Sequence, residues 1–369
     1  MAGIYLHIPF CRQACHYCNF HFSTSLRYKN EMVAALLKEM ELSLDYLPDP
    51  TIETIYFGGG TPSLLPSDDL AKLLSRLREL YKLAGDAEIT LEANPDDINK
   101  EKLLGWKVAG INRLSIGVQS FHDYDLQWMN RAHNAKQALH SLEQALDIFK
   151  NISIDLIYGT PALTNEKWKN NVDTALSLGI PHLSCYALTI EPKTPLQKMI
   201  NLGHSKTVDP ELQSAQFVLL MDWLNAAGYE HYEISNFAKP GWRSRHNSSY
   251  WQGKPYLGLG PSAHSFDGTS RQWNIANNNK YIDSVSKGSL PFEKEELTAV
   301  QRLNEFIMIS LRTMEGLDLR KINGIDVERL LESSQKYIHN GLMIYENDTL
   351  VLTTEGRLLA DGIAAELFA

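Results

Sequence analysis

The sequence has no run of about 18 or more apolar residues, so no membrane-spanning helix is expected. Nor does it carry an excess of basic charge. Its 35 Lys and Arg stand against 44 Asp and Glu, a formal net charge of −9. Phosphate backbones recruit Lys/Arg surfaces, so non-specific nucleic-acid binding is not expected. The opening MAGIYLHI lacks the charged, apolar and small-residue regions of a secretory signal, and the expected location is cytoplasmic. Cysteine is scarce, with four residues in 369. In a reducing compartment these are ligands or free thiols rather than disulfides. Low-complexity segments are missing, as are repeats beyond a β–α period. What remains is ordinary globular composition, enough for one large core and a smaller appended domain.

Up to about residue 235, short β-type runs alternate with helical patterns. GIYLHI (3–8), TIETIYF (51–57), EITLEAN (88–94), RLSIGVQ (113–119), ISIDLIYG (152–159) and HLSCYALT (182–189) read as strands. Helical periodicity covers 26–46, 67–82, 135–149 and 165–178 between them, and 211–227 after them. The strands are apolar without clean alternation, as when both faces are covered, so the fold class is α/β with a parallel sheet. Polar residues gather where strands end: Glu92, Gln119 and, within its strand, Asp155. In parallel barrels ligands sit at that carboxyl edge. After YEHYEISNFAKPG (229–241) the chain reads, to about 275, as a loop rich in aromatic and small residues. Beyond Leu297 come helices and a hairpin with Asn347-Asp348 at its turn, a small winged-helix-like α+β unit. The chain thus divides at 1–235, 236–296 and 297–369.

The first strand ends in HIPFCRQACHYCNF, placing Cys11, Cys15 and Cys18 in a C-x3-C-x2-C pattern. Three thiolates on one loop suit an iron–sulfur or a zinc centre. A cubane with three protein ligands leaves one iron open. Zinc asks for a fourth ligand, and His16 or His21 is near enough in sequence to be one. Spacing alone leaves both open.

C-x3-C-x2-C after the first strand, with Tyr17 just before the third Cys, resembles the signature of the radical SAM superfamily. Gly58-Gly59-Gly60-Thr61-Pro62 resembles its S-adenosylmethionine (SAM) motif, where bare backbone lets the methionine moiety approach and offers it N–H groups. The resemblance implies a partial (β/α)6 parallel barrel, a [4Fe–4S] cluster on Cys11, Cys15 and Cys18, and SAM held on its open iron. Within the branch containing oxygen-independent coproporphyrinogen oxidases it implies SAM contacts at Tyr5, Tyr17, Gly59, Gly60, Thr61, Glu92, Gln119, Arg131 and Asp155. Arg131 would grip a carboxylate through its planar fork. Cys185 reads as a buried strand thiol.

Two features choose within that branch. The oxidases carry a further Cys two positions after the third cluster Cys, where this chain has Phe20. His246-Asn247-Ser248-Ser249-Tyr250-Trp251 resembles the HNxxYW motif of HemW-type heme chaperones. A His can coordinate heme iron, and Tyr and Trp offer flat apolar surface to a macrocycle. That resemblance implies heme at His246, Asn247, Tyr250 and Trp251, with His231 and His264 as competing ligands. It implies a protein, monomeric or dimeric, that hands heme to apo-hemoproteins such as respiratory enzymes, with peripheral membrane contact open to it. The other reading is an oxygen-independent coproporphyrinogen III dehydrogenase, so whether the chain is an enzyme stays open here. A blander reading is a zinc-stabilised α/β protein.

Overall fold

The computed structural model describes residues 2–369. Six strands alternate with helices much as the periodicity predicts: β1 (Ala2–Ile8), β2 (Thr51–Gly59), β3 (Lys82–Ala93), β4 (Arg113–Gln119), β5 (Asn151–Tyr158) and β6 (His182–Ala187). They lie side by side in chain order, every neighbouring pair parallel. All seven residues of β4 are buried, which explains a strand that is apolar without alternating. The returning helices present apolar stripes to the sheet. Ser67–Leu80 buries Leu70, Leu73, Leu74 and Leu77, one face of a 3.6-residue period. Ala135–Ile148 begins where it does because Asn134 and Gln137 form a capping box.

The sheet continues at both sides. β7 (Glu230–Glu233) and β8 (Asn236–Ala238) add antiparallel beyond β6. Beyond β1 lie β9 (Tyr256–Leu259), β10 (His264–Phe266), β11 (Ser270–Asn274) and β12 (Phe292–Glu296). The stretch expected to be a loop is therefore ordered: it holds the helix Arg245–Trp251 and three strands of the main sheet. Strands of three to five residues, broken by Gly258 and Gly260, leave no periodic trace. Their anchor is the pairing of β9 with β1, about two thirds of the chain away. β9 runs parallel to β1, with Gly3 opposite Tyr256 and Tyr5 opposite Gly258. Gly258 is obligatory, since a Cβ there would come within 2.0 Å of the His264 carbonyl oxygen. The two edges, β12 and β7, do not meet, so the parallel core stays an open partial barrel.

The carboxyl-terminal part has its own apolar core, including Ile307, Leu311, Leu330, Leu350 and Ile363. Helices surround a small sheet of β13 (Leu317–Asp318), β14 (Met343–Glu346) and β15 (Thr349–Leu352), the α+β arrangement expected. Asn347 and Asp348 turn the β14–β15 hairpin with φ of 53° and 59°, the left-handed pair of a tight hairpin turn.

The extension beyond β1 is tied down by one carboxylate. Glu39, buried on the helix Lys29–Leu42, accepts from the Gly260 N–H at 2.6 Å, from Asn274 Nδ2 at 2.6 Å and from the Tyr281 hydroxyl. Burial pushes its pKa up from 4.5 to about 7 despite those donors. The folded chain therefore keeps a proton there that the unfolded chain releases near 4.5, and stability falls as pH rises through that window. We expect Glu39→Gln to flatten this part of the stability–pH profile. Glu39→Ala, leaving three donors unpaired, should lower stability by about 3 kcal/mol, read from the urea-unfolding midpoint.

Candidate functional site

β1 delivers the chain to the carboxyl edge of the sheet, and the loop after Ile8 carries the cysteines. Cys11, Cys15 and Cys18 are half-buried free thiols, whereas Cys185 is buried on β6. Hydrogen bonds fix the loop: the Cys11 N–H to the Ser23 carbonyl at 3.0 Å, and the Cys18 N–H to the Cys15 carbonyl at 3.3 Å. Among the described residues no three His, Cys, Asp or Glu side chains converge on a single ion. One zinc needs that convergence; a cubane takes each thiolate on a different iron. The candidate fourth zinc ligands each have one ring nitrogen held, His16 Nδ1 2.7 Å from the Trp128 carbonyl and His21 Nε2 2.7 Å from Asn278 Oδ1, yet among the described residues neither joins the thiols in a converging set. Two donors already face the sulfurs, Thr61 Oγ1 at 3.6 Å from Cys11 Sγ and Arg131 Nη1 at 3.3 Å from Cys15 Sγ. Burial pushes the Cys11 thiol up to about 11 and Cys18 upward too. Thiolate formation therefore has to be driven by metal binding. Three thiols with sulfur-facing donors and no converging fourth ligand fit a site-open cluster.

Behind the loop, Gly59 sits at φ +106°, and a Cβ on Gly60 would come within 2.6 Å of the Phe10 carbonyl oxygen. The glycines thus let β2 close against the cysteine loop. The motif leads to the expectation of free N–H donors, and Gly59 and Gly60 do not present them. The Gly60 N–H already donates to the Ile8 carbonyl at 2.9 Å, and the Gly59 N–H to Glu92 Oε2 at 3.2 Å. Glu92 also accepts from the Tyr56 hydroxyl at 2.8 Å. Tyr5 packs on Tyr56, ring centroids 6.1 Å apart, with its hydroxyl 3.2 Å from His7 Nδ1.

Arg131 joins several of the remaining residues. Its Nη2 donates to Asn94 Oδ1 and to the Gly117 carbonyl, both at 2.7 Å, while Nη1 reaches Cys15 and, at 3.5 Å, the Tyr17 hydroxyl. The expected two-pronged grip on a carboxylate is therefore not what this side chain offers. Both Nη atoms are spent inside the protein, and only Nε is buried without a partner. Gln119 closes β4 at φ +68°, beside an irregularity between Gly117 and Gln119. A non-glycine residue held left-handed at a strand end is strain of the kind that collects at ligand sites. Asp155 on β5 pairs in register with Gly117 and Ser184. Burial raises Asp155 to about 6 and Glu92 to about 7, the Asp155 charge adding to the rise at Glu92. Two buried carboxyls with pKa values raised this far mark a candidate functional site.

On the other flank of β1 opens a cavity of about 820 Å³. Its walls come from the cysteine loop (Asn19, Phe20, His21), β1 (Tyr5, His7), the end of the helix Arg245–Trp251, the β9–β11 extension and the helix Ala299–Leu311. Phe20 is 69% exposed there, a large apolar ring left open beside the cysteines. The HNxxYW residues divide. Tyr250 and Trp251 line the cavity, but His246 and Asn247 do not. His246 is 1% exposed, its Nδ1 2.8 Å from Thr54 Oγ1 and its Nε2 2.9 Å from the Tyr250 hydroxyl. Sequence reasoning missed His7, Tyr56 and Asn94. Asn94 closes EITLEAN, in which only Glu92 stood out.

Comparisons with known proteins agree on one lineage. Residues 5–199 match the radical SAM superfamily and residues 297–359 the HemN C-terminal domain. "Heme chaperone HemW" of Mycobacterium tuberculosis is 36% identical over 99% of this chain and 94% of its own. "Heme chaperone HemW" of Bacillus subtilis is 35% identical over 98% of both. Among solved structures, the coproporphyrinogen III oxidase HemN of Escherichia coli superposes with a TM-score of 0.86 at 24% identity. It covers all of this chain and 90% of that one. That likeness speaks for the fold.

The cysteine assignment has a direct check. After anaerobic reconstitution with iron and sulfide, Cys11→Ala, Cys15→Ala and Cys18→Ala should each drop bound iron to background and lose the brown cluster absorbance. Cys185→Ala should keep both.

Proposed function

The chain belongs to the HemW family of the radical SAM superfamily, and from that premise we propose that it is a heme chaperone that binds heme and passes it to apo-hemoproteins. The acceptors we place among respiratory-chain proteins, and the work in the cytoplasm. Among the described residues no helix is long and apolar enough to cross a membrane. A [4Fe–4S] cluster with an open iron supplies, when bound, the site at which SAM is held. The chain's own contribution is to position it. Cys11, Cys15 and Cys18 would ligate, Thr61 and Arg131 donate toward their sulfurs, and Glu92, held by Tyr56 and Gly59, would supply an acidic contact with Asp155.

The observation that carries the reading is the cavity beside the cysteine loop. It is roomy, walled by Tyr250, Trp251, Tyr256 and Phe266, and continuous from the cluster loop to the helix Ala299–Leu311. Phe20 lies in its lining, at the position where the oxidases carry Cys. An apolar ring there supplies surface for a flat macrocycle and no sulfur chemistry. The oxidase reading has only the shared fold behind it.

Two measurements test this. Heme titrated into the purified chain should saturate near one equivalent, and heme-loaded protein should activate an added apo-hemoprotein. Incubated anaerobically with SAM, reductant and coproporphyrinogen III, the reconstituted chain should release no protoporphyrinogen IX. Its formation would overturn the chaperone reading.

A further inference from the structure

Resting on the reading that the cavity receives heme, the structure narrows which residue meets the iron. A heme ligand needs a ring nitrogen that is unspent and open to the cavity. His246 meets neither condition. Both its nitrogens are engaged, and its ring is stacked on Tyr56 at 4.9 Å. The Cβ of any residue replacing Gly3 would come within 3.3 Å of that ring, so the histidine is walled in on the β1 side too. His231 lies outside the cavity lining, stacked on Phe237 at 4.1 Å, with one nitrogen on the Ile234 carbonyl and the other on Arg357.

Three histidines do line the cavity: His7, His21 and His264. His7 spends one nitrogen on the Tyr5 hydroxyl and the other, at 2.8 Å, on the His21 carbonyl. His21 spends its Nε2 on Asn278 and keeps Nδ1, which makes it the second candidate. His264 differs. It is the exposed one, and among the described residues neither of its ring nitrogens has a hydrogen-bond partner. Its position is nevertheless fixed. It opens β10, pairs in register with Trp273 on β11, and rests its ring on that indole at 6.1 Å and 28°. Its backbone is pressed against Gly258, where no side chain fits. The same cavity carries Lys254, Arg271 and Arg302. Lys254 is paired with Glu53 at 2.9 Å and Arg271 with Glu305 at 3.0 Å, while Arg302 Nη1 donates to the Leu297 carbonyl at 2.8 Å, so each guanidinium keeps further N–H donors and Arg271 Nε is without a partner. Guanidinium forks suit the two carboxylates of a heme's propionates.

We propose that His264 coordinates the iron of heme bound in this cavity, with Arg271 and Arg302 receiving its propionates. His246 is then a positioning residue. Through Thr54 and Tyr250 it anchors the helix that carries Tyr250 and Trp251 into the wall.

The test is a heme titration of the full-length wild type, His264→Ala, His264→Met and His246→Gln, followed by Soret absorbance. His264→Ala should bind heme at least about tenfold more weakly with a shifted Soret band, and added imidazole should restore the wild-type spectrum. His264→Met should give a third spectrum, since a thioether replaces the imidazole on iron. His246→Gln should keep the wild-type band position even where affinity drops. An unchanged spectrum and affinity in His264→Ala, beside a wild type that binds heme, overturns the ligand assignment alone. A wild type that binds no heme overturns the chaperone reading and the assignment together.

Discussion

Everything in this chain hangs on β1 having two parallel neighbours. On one side it pairs with β2, whose end carries Gly59 and Gly60 into contact with the cysteine loop. On the other it pairs with β9, the first strand of the extension that walls the cavity. A strand in an ordinary open sheet of six would expose one hydrogen-bonding edge here. Satisfying that edge with β9 is what sets the cavity beside the cysteine loop, both built on the same seven residues. Tyr5 and His7 sit between them and line the cavity, while Tyr5 also packs on Tyr56, whose hydroxyl donates to Glu92. The two sites are therefore neighbours by construction.

The carboxyl-edge site is largely pre-paired. Arg131 draws together Cys15, Tyr17, Asn94 and Gly117; Glu92 draws together Tyr56 and Gly59. Such a site loses little order when a ligand arrives, because its side chains already sit in fixed positions. Within it stand a pair of carboxyls raised by burial, Glu92 and Asp155, and the left-handed Gln119 at the strand end.

How much of this could be read beforehand follows from the reach of each signal. The strands β1 to β6 and their helices are long enough to carry their own periodicity, so their order was legible. The hairpin at Asn347-Asp348 was too, since two residues that tolerate positive φ announce the turn by themselves. The β9–β11 extension was not. Its strands gain their stability from β1 and from Glu39, neither of which lies nearby in sequence. The motif residues were legible as names but not as orientations. His246 sits in HNxxYW whether it faces a ligand or Thr54, and only packing decides. Likewise Arg131 was found, while the atoms its fork would meet were not.

The pairing of Tyr5 with Gly258 also sets an order of manufacture. β1 and the cysteine loop leave the ribosome first, and the strands through β6 follow while β9 is still unmade. Chains fold from the amino terminus as they emerge. The metal-binding half can thus assemble with one flank of β1 still bare, and the chamber beside it is finished only when the last third of the chain arrives. Synthesis itself puts the thiols in place before there is anywhere to put the cargo.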